Sequence, residues 1–437
     1  MTKDILTQLD FGNAAVLDAS LSERVRGLVG SEILKIAGQI RELIATGKPV
    51  CNLTVGDFDP KQFPIPAMLL EGIRRALANG ETNYPPSDGM LVLRKAVADY
   101  SAREWGVRYP VESVLIAGGA RPILYGAFRC VIDPGDKAAY PVPSWNNNHY
   151  AWLTAARGVA IPARPEDGWM PTLETIRPHL KDSNLLVLNT PLNPSGTVMD
   201  PGVLRTITAA IVEENERRTH EGRRHLFLVY DQIYGSLLFG GAKHEHPVSL
   251  VPESAPWVIT VDGISKALAA TGLRVGWTLA APPVTARMRD LLGHVGAWAP
   301  RPEQVAVAEF LLDAEAIGAY RRDMDARVKA RLDALYAGFS DLKREGYPVA
   351  CIDPQGAIYL SLQLDLVGRR IDGTRIETNE QIRKLLLDKA GMAVVPFQAF
   401  GFPEDTGWFR LSVGAVSLAD IEQAFPRVRA LLDSVTR

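Results

Sequence analysis

Hydrophobic positions along this chain recur in two periods, and their order predicts a layered α/β architecture. Between about residues 85 and 280, short apolar runs at 113–117, 184–189, 225–230, 257–261 and 275–280 are separated by longer stretches with helical spacing. Runs of that length bounded by turn residues read as buried strands, and their alternation with helical segments predicts a largely parallel sheet flanked by helices on both faces. Met324, Val328, Leu332, Leu335, Phe339 and Leu342 then repeat at near-helical spacing, which predicts a long amphipathic helix leading out of that layer. From about Tyr347 onward, strand-like runs at 357–362, 392–395 and 408–413 lie among helical ones and predict a smaller α/β domain. The expected division is an N-terminal segment, 1–58, packing with the small domain, then a large domain over 59–320 and the small domain over 321–437. The chain carries no internal repeat and no low-complexity linker.

Composition narrows the class of chemistry. With 437 residues, 47% of them hydrophobic and 22% charged, the chain matches a globular enzyme rather than a disordered or fibrous protein. The 48 basic and 50 acidic residues leave a formal charge of -2, so neither nucleic acid nor an anionic membrane is an expected partner, and small-molecule chemistry is. Cys51, Cys130 and Cys351 lie far apart, which argues against a disulfide framework or a zinc cage and fits a reducing cytosol. The first twenty residues lack the basic-then-apolar order of a secretory signal, and the uncharged stretch 138–156 is broken by prolines, asparagines and a histidine. A cytoplasmic location is therefore expected.

In a parallel α/β sheet, ligands sit outside the carboxyl ends of the strands, so polar residues just after strands are the candidates. Run 113–117 passes into Gly118, Gly119, Ala120, Arg121 and Pro122, followed by Ile123, Leu124, Ala127 and Phe128 at helical spacing. The free N–H groups of such a first turn suit a phosphate, and Pro122 loses nothing there; a plain strand-to-helix turn explains the same residues. Run 184–189 ends in Asn189-Thr190-Pro191-Leu192-Asn193-Pro194-Ser195-Gly196, a rigid polar turn that backbone preference alone also favours. Asp231 closes run 225–230, with Tyr234 three residues later; a half-buried carboxylate there needs a cation, the alternative being a surface helix cap. Ser265 and Lys266 follow run 257–261, and Arg274 comes eight residues later. His244 and His246, in a Gly-, Lys- and Pro-rich stretch with no third ligand spaced nearby, read as a solvated loop, and no metal site is expected.

The ordered set is more specific than its parts. A Gly-Ala-Arg turn, Asn-Pro-Ser-Gly, Asp-x-x-Tyr, and Ser-Lys followed by Gly272-x-Arg274-x-Gly276 together resemble the class I/II aminotransferases, pyridoxal-phosphate enzymes of the fold-type-I (aspartate aminotransferase) superfamily. The resemblance covers about residues 52–428. It implies that Lys266 carries pyridoxal 5'-phosphate as a Schiff base and shuttles a proton. Asp231 is implied to pair with the pyridine nitrogen, and Tyr234 and Asn193 to bond the phenolic oxygen. Arg274, Ser265 and the turn of Gly119, Ala120 and Arg121 would hold the phosphate, with Trp145 stacked on the ring. Arg410 is implied to clamp the substrate α-carboxylate as a bidentate fork, with Gly56, Trp145 and Asn193 also at the substrate. Tyr84 would reach the phosphate of a neighbouring subunit, which implies a homodimer with shared active sites. Tyr359 reads as a strand residue.

The implied activity is transfer of an amino group between an L-amino acid and a 2-oxo acid, with a β-lyase or synthase on the same scaffold as the alternative. A non-catalytic sensor is disfavoured, because the fifty-odd residues before the matching region show no helix-turn-helix signature. Several positions depart from the family pattern. Gly263 replaces a common serine, Gln232 a common glutamate and Arg121 a common lysine. Phe397-Gln398 and Ala297-Trp298-Ala299-Pro300 also differ, in segments that flank the substrate pocket in the family. Residues 294–298 hold no Lys or Arg, and Arg301 is the nearest fully charged basic residue downstream. An aromatic wall from Trp298 and Phe397 would favour apolar substrate side chains by burial, against the family's leaning towards aspartate and glutamate.

Overall fold

The computed structural model describes residues 11–28, 30, 32–45 and 47–436. Seven strands form the main sheet in the order Val114–Ala117, Gly276–Leu279, Val258–Gly263, Phe227–Asp231, Leu185–Asn189, Lys137–Val142 and Arg157–Pro162. All run parallel except Gly276–Leu279, which is antiparallel to both neighbours. The five apolar runs are all strands of this sheet. The other two escaped the pattern for physical reasons. Arg157–Pro162 is an edge strand with mostly exposed side chains. Lys137–Val142 carries Pro141, which falls where pairing to Leu185–Asn189, confined to Ala138 and Ala139, has already ended.

Met324, Val328, Leu332, Leu335, Phe339 and Leu342 lie buried along a 31-residue helix, Ala314–Arg344, capped by Asp313 accepting from the Ala316 N–H. That stripe packs into a second core with a four-stranded sheet in the order Val395–Pro396, Trp408–Ser412, Tyr359–Leu364 and Val349–Cys351. Ahead of the main sheet, Cys51–Asn52 pairs in parallel with Met392–Ala393, and the Leu53 carbonyl accepts from the Ser412 N–H. Ile36 and Ile40, earlier still, join the core of the main sheet. Trp152 Nε1 donates to the Arg24 carbonyl, and the Arg24 guanidinium lies over the Trp152 ring. Among the described residues, no helix is long and apolar enough to cross a membrane.

His244 and His246 overturn the solvated-loop expectation. Both are buried beside Tyr230, with His246 Nε2 2.8 Å from Thr260 Oγ1 and its Nδ1 accepting from the Val248 N–H. Burial holds both imidazoles down to about 3, so they are neutral structural groups. The glycines around them supply turns; the imidazoles themselves fill space between the sheet and Tyr109 and Trp105.

Candidate active site

A cavity of about 600 Å³ opens at the carboxyl ends of the parallel strands. Five of the parallel strands deliver a different chemical group to it from their ends: Val114–Ala117, Lys137–Val142, Leu185–Asn189, Phe227–Asp231 and Val258–Gly263. A second cavity, of about 450 Å³, is lined by Glu166, Asp167 and Asp200 together with Thr172, Thr197 and Gln355, with no Lys, Arg or His among its lining residues.

Gly119 caps the helix Ala120–Val131 at a φ of 95°, and a Cβ there would lie 2.2 Å from a guanidinium nitrogen of Arg274. Only glycine lets the chain turn and leaves room for that guanidinium. Arg274 donates to the Thr271 carbonyl at 2.6 Å and the Gly118 carbonyl at 2.8 Å, so its plane is fixed next to the free N–H groups of the helix start. Cationic side chain, helix N-terminus and the buried hydroxyl-bearing Ser265 thus surround one end of the cavity. Gly263 explains its own departure from serine: a Cβ there would lie 2.8 Å from the Val275 carbonyl and from the Gly276 Cα.

Lys266 stands on the short helix Ile264–Ala267, and its Nζ donates to the Gly56 carbonyl at 2.5 Å. Burial, with Arg410, Arg121 and Arg274 nearby and Asp57 opposing them, pulls the amine down to about 8. Asp231 ends its strand on the cavity wall. Its Oδ1 accepts from the Ile233 N–H at 3.1 Å, and no cation pairs with it among the described residues. Burial pushes this carboxyl up to about 6. A carboxylate aimed into a cavity without a counter-charge fits a protonated pyridine ring.

Arg410, only 1% exposed, is sandwiched between the Tyr359 and Phe400 rings at 4.8 and 4.9 Å. It donates to the Thr54 carbonyl at 2.5 Å and to Asn193 Oδ1 at 3.2 Å, while its Nε has no partner. An orphaned buried guanidinium N–H on a residue that lines this cavity suits an incoming carboxylate. Asn193 is itself placed by Asn189, whose Oδ1 accepts the Asn193 N–H and whose Nδ2 donates to the Asp231 carbonyl. The polar turn is therefore wired to the strand carrying the carboxylate.

Trp145 lines the cavity, with the Arg121 guanidinium 5.2 Å from its ring, and Tyr234 closes the inner end. The structure thus brings Gly56, Ala120, Arg121, Trp145, Asn193, Asp231, Tyr234, Ser265, Lys266, Arg274 and Arg410 to one cavity. Tyr84 stands apart, 81% exposed, its ring edge-on to Trp298 at 5.2 Å. Asp57, Thr271 and Tyr359 also line the site and were not singled out by sequence as functional; Asp57 holds Thr271 Oγ1 at 2.6 Å. The adjacent Val55-Gly56-Asp57 glycine was a signal for the first, but nothing in a strand-like Ala-Ile-Tyr announces Tyr359.

The expected aromatic wall does not form. Phe397 is fully buried against Trp169, Trp408 and Phe400, and Trp298 lies against Tyr84, outside the cavity lining. Gln232 shows why glutamate is absent there: its Nε2 donates to buried Asp262 at 3.2 Å and its Oε1 lies 3.3 Å from His244 Nε2. A glutamate would set two carboxylates together in the core.

The family model for aminotransferase class I and II matches residues 48–428. An aspartate aminotransferase of Streptomyces avermitilis is 30% identical, the match covering 94% of this chain and 96% of that protein. A probable aspartate/prephenate aminotransferase of Thermus aquaticus is 31% identical over 87% of this chain and 93% of its own. Among solved structures, the aspartate aminotransferase of Rhizobium meliloti superposes with a TM-score of 0.85 at 27% identity, covering 95% of this chain and 99% of that one. That of Thermus thermophilus with maleate gives a TM-score of 0.83 at 28% identity, covering 94% and 99%. With a family match over residues 48–428 and a fold shared over 94–95% of the chain with these enzymes, the chain belongs to the class I and II aminotransferases and is a pyridoxal-phosphate-dependent aminotransferase.

Proposed function

We propose that the enzyme moves an amino group between an amino acid bearing a side-chain carboxylate and a 2-oxo acid, with Lys266 as the proton-carrying base. The observation that carries this reading is the single cavity in which the Lys266 amine, the unpaired Asp231 carboxylate and the orphaned Arg410 Nε converge. When bound, pyridoxal phosphate supplies an aldehyde that takes up the amino group and a ring that withdraws electrons. Arg274, Ser265 and the backbone of Gly119, Ala120 and Arg121 would hold its phosphate. Asp231 would hold the ring nitrogen protonated, Tyr234 and Asn193 its phenolic oxygen, and Trp145 its face.

Arg410 and the Gly56 backbone take the substrate α-carboxylate. Lys266 Nζ then lies beside the segment that carries that carboxylate, since its partner in the free site is the Gly56 carbonyl. Burial lowers its proton affinity, so near neutral pH a useful fraction of the amine is unprotonated and accepts the substrate Cα proton, returning it elsewhere in the same turnover. The division into segments 1–58, 59–320 and 321–437 belongs to this reading, supported by the four-stranded sheet and the stripe of Ala314–Arg344, which share one core, and by the pairing of Cys51–Asn52 with Met392–Ala393; Ile36 and Ile40 of the first segment lie in the core of the main sheet instead. So does a cytoplasmic location, supported by three unpaired cysteines.

Arg121 supports the acidic side chain. Its guanidinium lines the cavity, stacks on Trp145 and has no carboxylate partner among the described residues, whereas Arg301 is paired with Glu81. Three of the relatives named above carry the name aspartate aminotransferase, one of them solved with maleate, and the other is named a probable aspartate/prephenate aminotransferase. Arg121→Ala is expected to lower kcat/KM for aspartate by about 10- to 100-fold, the scale of a charge-assisted contact of about 1.5–3 kcal/mol, while leaving alanine within about twofold. Equal losses for both substrates would remove Arg121 from side-chain recognition.

A homodimer with shared sites is the other part of the reading, supported by Tyr84, whose exposed ring sits beside Trp298 and outside the lining of this chain's own cavity. Mixing Tyr84→Phe chains with Lys266→Ala chains should produce hybrid dimers with one doubly defective and one intact site, so activity recovers on mixing. An active monomer in sedimentation refutes the shared site.

A further inference from the structure

We infer that Tyr359 is a positioning residue for the reaction, its hydroxyl acting through Tyr234 and its ring holding Arg410; this rests on the assignment of Tyr234 to the cofactor's phenolic oxygen. Tyr359 opens the strand Tyr359–Leu364 opposite Ser412, and its ring is only 1% exposed. Its hydroxyl lies 2.5 Å from the Tyr234 hydroxyl, the rings edge-on at 5.5 Å, and its face supports the Arg410 guanidinium at 4.8 Å. The strand is clamped from behind. A Cβ on Gly196, at a φ of 75°, would come 2.0 Å from the Tyr359 carbonyl, and Ser361 Oγ donates to the Ser195 carbonyl. One side chain of the small-domain sheet thus touches both the cofactor-facing tyrosine and the carboxylate-facing arginine.

Proton counting gives the hydroxyl its role. Each phenol has one proton, and either oxygen can donate in the contact between them. When Tyr234 donates to the cofactor's oxygen, the proton between the tyrosines must come from Tyr359. An oxygen that accepts a hydrogen bond becomes a better donor, so Tyr359 strengthens the bond Tyr234 makes. Without it, an anionic oxygen on the ring is less stabilised and the bound cofactor keeps its proton to higher pH. The charged groups around the pair are Arg410 from the neighbouring strand, Asp57 from the segment after Cys51–Asn52, Asp231 from the main sheet, and Lys266, whose Nζ is 5.9 Å from the Tyr234 ring. All remain in a Tyr359→Phe variant, which removes the hydroxyl and keeps the ring under Arg410.

The test is the pH midpoint of the holoenzyme's visible absorption in wild type, Tyr359→Phe, Tyr234→Phe and the double variant, with KM for the best amino donor measured alongside. Tyr359→Phe should raise the midpoint by about half a pH unit and leave KM within about twofold. The double variant should move no further than Tyr234→Phe, since the two hydroxyls act in series. Tyr359→Leu, which also removes the ring, should raise KM as well. A midpoint unchanged in Tyr359→Phe while Tyr234→Phe shifts it overturns the inference alone. No shift in Tyr234→Phe overturns the assignment of Tyr234, and the inference with it.

Discussion

Replacing Lys266 by alanine is expected to slow transamination by about a thousandfold or more, the scale of a lost acid–base group, while the chain still folds and still takes up pyridoxal phosphate. The expectation follows from the surroundings of Nζ. Its partner is the Gly56 carbonyl, and burial first, then its neighbours Arg410, Arg121 and Arg274, disfavour its charged form, so the amine is poised to exchange protons rather than to anchor the fold. The cofactor's retention follows from Arg274 and the helix start at Ala120, whose own hydrogen bonds do not involve the lysine. Single-turnover kinetics and equilibrium dialysis of pyridoxal phosphate separate the two effects. A variant that transaminates at the wild-type rate removes Lys266 from the chemistry.

Asp231→Asn is expected to slow the half-reaction by about a hundredfold, near 2.7 kcal/mol, because a neutral amide no longer keeps the ring nitrogen protonated. The same change should stabilise the cofactor-free chain. In the unfolded chain an aspartate ionises near its ordinary value of about 3.9, whereas burial holds Asp231 to about 6. Folding therefore carries a growing cost as pH rises through that window, and the full cost persists above it. Cofactor-free Asp231→Asn should melt above the wild type at pH 7 and alongside it below about pH 4. Adding pyridoxal phosphate should reverse the order at pH 7, because the ring cation then faces the wild-type carboxylate. A cofactor-free variant that melts at or below the wild type at pH 7 would show that the carboxylate has a stabilising partner.

The sequence by itself determined five of the seven main-sheet strands, the long helix and the local motifs. Strand interiors such as Val114–Ala117 are continuous apolar runs because both faces of the sheet are covered, and the stripe from Met324 to Leu342 is apolar because one helix face lies on a core. The turns at Gly119 and Asn193 were legible because their backbone geometry restricts which residues fit, and Lys266, Asp231, Tyr234 and Arg274 followed from their order after strands. What depends on contacts between distant segments was not legible. Phe397 and Trp298 looked like a substrate wall, but hydrophobic residues are drawn to whatever core is nearest, and Phe397 found Trp169 and Trp408. His244 and His246 looked solvated from their neighbours in the chain, yet the sheet buries them. Tyr359 read as a strand residue because its period is that of a strand. Its second role arises only where two sheets meet, 125 residues of chain apart from Tyr234, and no local periodicity encodes a meeting of that kind.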